Sequence, residues 1–352
     1  MRRLVQCLNW RAVVKKKGWI IALAPLVFCQ TLPVCAQIAV LQQDDPSTSS
    51  FSRQLMELQL DPLCLTELEK AINARDYKPA EKILVEEAER NPRSPRSAKL
   101  LAIAGGIFFL DAQYLEAAIA WKKAEAIAPL DDRNRFTLAM AYVKLNQRDG
   151  ARTELEKLAA AKPQNPLFLY WLGRLDYDAR NYASAITRLQ KVTELDPKMM
   201  RAHDTLGLCL DYLGKFDEAV KNYNRAIDLN RLQSKPSPWP HVDLAISLMA
   251  LNRLPEAEMN LREAVGYDPQ LPQAHYQLGR VLEMQGGYQA AVESLKLAVA
   301  LAPEYPEPHY LLGKIYHRLG NEPLSRSEID RFQELRKASE AQPAPESPQP
   351  PM

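Results

Sequence analysis

The sequence is poor in the groups that chemistry needs, and each shortage removes a class of function. It contains no P-loop, no G-x-S-x-G and no H-E-x-x-H pattern, and no cysteine stands near a histidine in a recognisable motif. Only five cysteines and five histidines occur in 352 residues. An excess of charge of one sign is missing as well. The formal net charge is +2, but residues 1–36 hold six positive charges (Arg2, Arg3, Arg11, Lys15, Lys16, Lys17) and no acid. Without that segment 39 positive and 43 negative charges remain, a net of −4, so nothing in the body points to nucleic acid.

The single long apolar run lies near the N-terminus. A basic region reaches Lys17, the run WIIALAPLVFC extends from Trp19 to Cys29, and Val34-Cys35-Ala36 precedes Gln37 with small residues where a signal peptidase reads. Residues 1–36 are therefore expected to be an export signal cleaved after Ala36, giving a periplasmic or secreted protein. The alternative is an uncleaved anchor, since Gly18 to Ala36 is close to the roughly 20 residues needed to span a bilayer. Cys29 follows Phe28 and Cys35 follows Val34, where lipidation would want a small residue, and Arg2-Arg3 is a weak twin-arginine signal. Residues 37–60, with the polar stretch QQDDPSTSSFS, read as a flexible linker, and 336–352 as a disordered proline-rich tail.

Between them lies a repeat. Ala139, Gly173 and Gly207 recur at a spacing of 34, as do Ala245, Gly279 and Gly313. A second small residue falls on Ala80, Ala117, Ala151, Ala185, Ala219, Ala257, Ala291 and Ser325, and a punctuating proline on Pro92, Pro129, Pro163, Pro197, Pro269 and Pro303. A fixed period in this range marks a stack of like units. Small residues let two antiparallel helices approach. Apolar residues such as Leu206, Leu210, Val220, Tyr223 and Ile227 recur at three- and four-residue spacing, which gives two successive amphipathic helices per unit. The proline ends the second helix.

The run from Leu206 to Leu229, L-G-x-x-L-x-x-x-G-x-F-x-E-A-x-x-x-Y-x-x-A-I-x-L, resembles the tetratricopeptide repeat. Eight units fit, about 61–94, 98–131, 132–165, 166–199, 200–233, 238–271, 272–305 and 306–333, within an array of 61–335. The resemblance implies an all-α, right-handed α-solenoid of helix-turn-helix repeats. Asp176 departs from it, replacing an apolar residue in the fourth unit, and four extra residues within RLQSKPSPWP mark a candidate bend or mobile loop.

Two residue patterns could be taken for chemistry. Cys64 and Cys209 lie four repeats apart, which with helices packed about 8–10 Å from one another puts them beyond the roughly 7 Å a disulfide allows. His203, His241, His275 and His309 share the fourth place of four units, but side chains one repeat translation apart cannot converge within the roughly 2.1 Å that zinc requires. They read as half-buried packing residues. No catalytic, metal or cofactor site is expected, and the repeats leave no segment long enough for a catalytic domain.

The first helix of each unit carries a second stripe, displaced from the packing stripe. In proteins with these repeats that stripe lines a concave groove. Here it holds Phe136, Met140, Tyr170, Arg174, Tyr177, Tyr212, Trp239, Tyr276, Arg280, Tyr310 and Lys314, with Asp204 and Asp211 also on it. Tyrosine, tryptophan and arginine concentrate binding energy at interfaces. The expected function is a non-enzymatic exported scaffold that binds a protein or peptide, with no nucleic acid and no small-molecule substrate. A membrane tether is expected only if the signal stays uncleaved. The alternative function is an envelope assembly factor or carrier that takes unfolded segments or glycan in the aromatic groove.

Overall fold

The described residues, Leu58 and 60–341, form sixteen α-helices and no strand in the computed structural model of the chain. The export signal expected over 1–36, and the linker apart from Leu58 and Leu60, lie outside them. The helices group into two units. The first holds α1 (Pro62–Ala74), α2 (Tyr77–Glu89), α3 (Pro95–Leu110), α4 (Tyr114–Glu125), α5 (Asp132–Lys144), α6 (Arg148–Ala161), α7 (Pro166–Asp178) and α8 (Tyr182–Leu195). The second holds α9 (Met200–Tyr212), α10 (Phe216–Asn230), α11 (Trp239–Ala250), α12 (Leu254–Tyr267), α13 (Pro272–Met284), α14 (Tyr288–Leu301), α15 (Pro306–Arg318) and α16 (Glu322–Ala341). Each unit is a row of four helical hairpins, and the fold is an all-α solenoid.

The recurring small residues do what their spacing predicts. A Cβ built on Gly207 would stand 2.6 Å from the Tyr223 ring, and one on Gly279 would stand 2.6 Å from Leu295 Cγ. Real carbon atoms do not approach so closely, so a side chain there would force the hairpin apart. Every hairpin turn contains one residue with a left-handed backbone: Arg75, Ala112, Asn146 and Arg180 in the first unit, Gly214, Asn252, Gly286 and Gly320 in the second. Caps fix several helix starts. Asp131 Oδ1 accepts from Asn134 N at 2.7 Å, and Asn165 Oδ1 accepts from Leu167 N at 3.0 Å. Proline opens α13 and α15 instead.

Three expectations need correction. Leu58, assigned to the flexible linker, is buried among the α1–α4 core, and its carbonyl accepts from Arg96 Nε at 2.7 Å. The array also runs past 335, because α16 continues to Ala341 through residues assigned to the tail. The insertion after α10 is not loose. Buried Asn230 closes it with two bonds, Nδ2 to the Ser237 carbonyl at 2.7 Å and Oδ1 from Ser237 N at 2.8 Å.

Candidate functional site

In the second unit the first helices of successive hairpins, α9, α11, α13 and α15, each touch the next, whereas among the described residues the second helices do not meet. The first helices are thus the closer-packed layer, and within this unit their outward face is the inner one. The same relation holds between α3 and α5 in the first unit.

The structure treats the expected stripe differently in the two units. In the first it is largely closed. Phe136 is fully buried, its ring centroid 5.9 Å from that of Phe168, and Met140 is 1% exposed. Both were expected to face a partner. They are core residues, because Phe136 packs across the gap to the next first helix and Met140, one turn on, is covered with it. Tyr170 and Tyr177 are also buried. Tyr170 packs edge-on to Trp171 at 5.7 Å. Arg174, half-buried, lies 5.4 Å over the Tyr177 ring and pairs with Asp178 at 3.3 Å.

In the second unit the stripe stays open. Tyr212, Trp239, Tyr276 and Arg280 are half-buried, and Tyr310 and Lys314 are exposed, Tyr310 to 51%. Arg280 lies 5.8 Å over the Tyr276 ring and donates to Gln277 Oε1 at 2.7 Å. Tyr276 meets Tyr305 edge-on at 5.3 Å, and Lys314 pairs with Glu283 at 3.0 Å. These contacts hold aromatic faces and a guanidinium in fixed places while leaving surface for a partner.

Sequence reasoning placed Asp204 and Asp211 on this stripe and left Asp243 off it. Asp211, on α9, is 7% exposed and accepts from Tyr223 Oη at 2.8 Å and from Ser247 Oγ at 2.6 and 2.8 Å. Burial pushes its carboxyl up to about 6, against the pull of those two donors. Asp243, on α11, is also 7% exposed. Burial, then the charges of Asp204 and Asp211, drive its carboxyl well above the ordinary range. The signal available in the sequence was three aspartates on two neighbouring first helices that carry a single lysine or arginine between them, Arg201.

The aligned histidines hold hairpins together. His203, His241 and His309 each place Nδ1 against a side chain nineteen residues on, Asn222 Oδ1 at 3.4 Å, Asn260 Oδ1 at 2.9 Å and Glu328 Oε2 at 2.6 Å. His275 has Ser294 at that place and turns to the Pro269 carbonyl, 2.9 Å from Nε2. Among the described residues no three His, Cys, Asp or Glu side chains converge as metal ligands, and no helix is long and apolar enough to cross a membrane.

Comparison with known proteins agrees with this architecture. A model described as TPR repeat matches residues 284–320, and one described as tetratricopeptide repeat matches 133–165. A model of anaphase-promoting complex, cyclosome, subunit 3 matches 154–226. No curated protein matches the sequence. Among solved structures, a tetratricopeptide repeat protein from Parabacteroides merdae is 19% identical with a TM-score of 0.57, covering 75% of this chain and 98% of its own. PilW, a type IV pilus biogenesis factor, is 18% identical with a TM-score of 0.54, over 58% of this chain and 92% of its own. The APC/C hetero-tetramer Cut9-Hcn1 is 18% identical with a TM-score of 0.55, over 76% of this chain and 51% of its own. At these identities the likeness is one of fold.

Proposed function

We propose that this chain, a tetratricopeptide-repeat protein, is a non-catalytic scaffold, exported from the cytoplasm, that recruits a protein or peptide partner through the outward face of the first helices in residues 198–341. One observation carries the reading: α13 and α15 each have two faces with opposite fates. Leu278, Leu312 and the close-approach glycines are buried against the second helices, while Tyr276, Arg280, Tyr310 and Lys314 keep exposed surface. Packing does not need an exposed tyrosine beside a braced arginine, and recognition does. The arginine, lysine and aromatic content suits a polypeptide better than an apolar ligand. Export rests on the N-terminal segment, a basic stretch, an apolar run and small residues before Gln37.

Site-specific photo-cross-linking in the native host tests the face. A cross-linker at position 310 on the stripe is expected to give a discrete adduct, and one at position 297, on exposed Leu297 of the second helix α14, to give none. An adduct from 297 alone would move the interface to the other face and overturn the reading. N-terminal sequencing of the host protein tests export. A start at Gln37 supports it, and an intact Met1 in the membrane fraction overturns cleavage.

A further inference from the structure

We propose that Arg280 sets the specificity of the binding face by anchoring an acidic side chain, an aspartate or glutamate of a partner segment that crosses α13. This rests on the first-helix face being the binding face and names the chemistry that face selects.

The repeat supplies an internal comparison. Tyr170 and Arg174 on α7, Tyr276 and Arg280 on α13, and Tyr310 and Lys314 on α15 occupy the same two places of their units, each cation four residues after its tyrosine. That spacing puts ring and cation on one side of a helix. Two of the three cations have an acid within the chain. Arg174 Nε donates to Asp178 Oδ1 at 3.3 Å, four residues further along α7, and Lys314 reaches back to Glu283 of α13 at 3.0 Å. On α13 the place of Asp178 is held by Met284, which is exposed, and Glu283, the only acid of that helix, is the one Lys314 takes. Arg280 keeps neutral contacts alone, Gln277 Oε1 at 2.7 Å and the Tyr276 ring at 5.8 Å. Among the described residues no carboxylate pairs with it.

A guanidinium stays charged at any working pH, so the missing acid cannot be offset by losing a proton. Its place is already fixed. Buried Gln277 holds one Nη and the Tyr276 ring lies against the guanidinium, which lowers the ordering cost of binding, while the other N–H groups are left to form the two parallel bonds that a carboxylate accepts. The charge count selects among anions. With Lys314 occupied by Glu283 a single cation is open, which matches a carboxylate better than the doubly charged phosphate. A side chain also fits better than a chain end. Arg280 lies on the middle one of three touching first helices, with half-buried Trp239 on α11 and exposed Tyr310 on α15, so a segment over it has surface to follow in both directions.

The test pans a random-peptide display library against the full chain and measures a selected peptide, with its C-terminus amidated, by fluorescence anisotropy. Selected peptides are expected to be enriched in aspartate and glutamate over the unselected library. Arg280→Ala should bind at least about tenfold more weakly, the scale of losing a charge-assisted bond, and replacing the peptide's acid by its amide should cost the parent as much and Arg280→Ala nothing further. Met284→Asp, which keeps Arg280 and supplies the acid that α7 has, should weaken the same peptide without lowering the melt. The proposal is overturned if no peptide is selected, if the selected peptides show no acidic enrichment, or if Arg280→Ala and Met284→Asp both bind as the parent does. Peptides that bind only with a free C-terminus put a chain end on Arg280 and overturn the side-chain assignment. Peptides without acids that are lost on Tyr276→Ala leave the face reading standing and remove only the anchor. Acidic peptides indifferent to both Tyr276→Ala and Arg280→Ala bind elsewhere and overturn the two readings together.

Discussion

The two units are built from one repeat, yet they treat buried charge in opposite ways. In the first unit acids enter the interior accompanied. Asp176, in an apolar place of the repeat, is clamped by Arg152 Nη2 at 2.7 Å and Arg188 Nε at 2.8 Å, and Glu154 by Arg135 Nη1 at 2.6 Å with Lys122 and Lys157 around it. In the second unit Asp211 and Asp243 are as deeply buried with no cation at all. The stripe follows the same division, closed over Phe136 and Met140 in the first unit and open at Tyr276 and Tyr310 in the second. One unit holds its buried acids charged with cations around them, and the other holds Asp211 with hydroxyl donors and a raised carboxyl.

The sharpest way to break the comparison is to make the first unit resemble the second. Replacing both Arg152 and Arg188 by Met leaves Asp176 buried without a counter-charge and should cost about 3–5 kcal/mol of stability. Adding Asp176→Leu to that pair returns the site to the apolar residue the repeat expects and should recover most of the loss. Urea denaturation of the three proteins checks this. Equal midpoints for the parent and the double arginine variant would show that the clamp is not structural.

The next effect is one of pH, and it separates the units by sign. Burial works against the Glu125 carboxylate in the first unit, but Lys122 and Arg135 outweigh it and hold it at about 2. A lowered carboxyl stabilises the fold above its unfolded value of about 4.3 and loses that contribution only as pH falls through about 2. Asp211 in the second unit is raised to about 6. Its contribution is complete below the unfolded value of about 3.9 and is lost as pH rises through about 6, a change on the order of 2–3 kcal/mol. His241, whose burial lowers its pKa, works the other way near pH 6. Asp211→Asn leaves that histidine in place. The urea midpoint of the parent relative to Asp211→Asn should therefore fall between about pH 4 and about pH 6 and level off above that. A constant difference would show that Asp211 titrates as it does when unfolded.

Most of the fold was legible in the sequence because close approach leaves a trace at single positions. Gly207 and Gly279 must be small, and their spacing exposed the period. The site was only half legible. Tyr276 and Arg280 could be placed on a stripe by counting, but counting could not show that Phe136 reaches across to Phe168 and leaves the surface. The burial of the acids was hidden for a deeper reason. Asp204, Asp211 and Asp243 occupy three different places of the repeat, so no alignment of units brings them together. What distinguishes Asp211 and Asp243 is their burial, which is a property of three dimensions.

The smallest prediction concerns the turns, where the units differ again. Each hairpin needs one left-handed residue, and the second unit supplies glycine at three of its four turns, whereas the first has Ala112 at φ 59° and Arg180 at φ 63°. A side chain in that conformation costs about 1–2 kcal/mol, while glycine costs roughly 0.5–1 kcal/mol more backbone entropy on folding. The difference leaves a gain of about 0.5–1 kcal/mol for Ala112→Gly. Gly286→Ala, at φ 84° with no atom near its missing Cβ, should lose a similar amount through backbone strain alone. Thermal melts of the two variants should move in opposite directions from the parent. If both fall, Ala112 is held by its surroundings rather than strained, and the first unit's turns are as well matched to their residues as the second's.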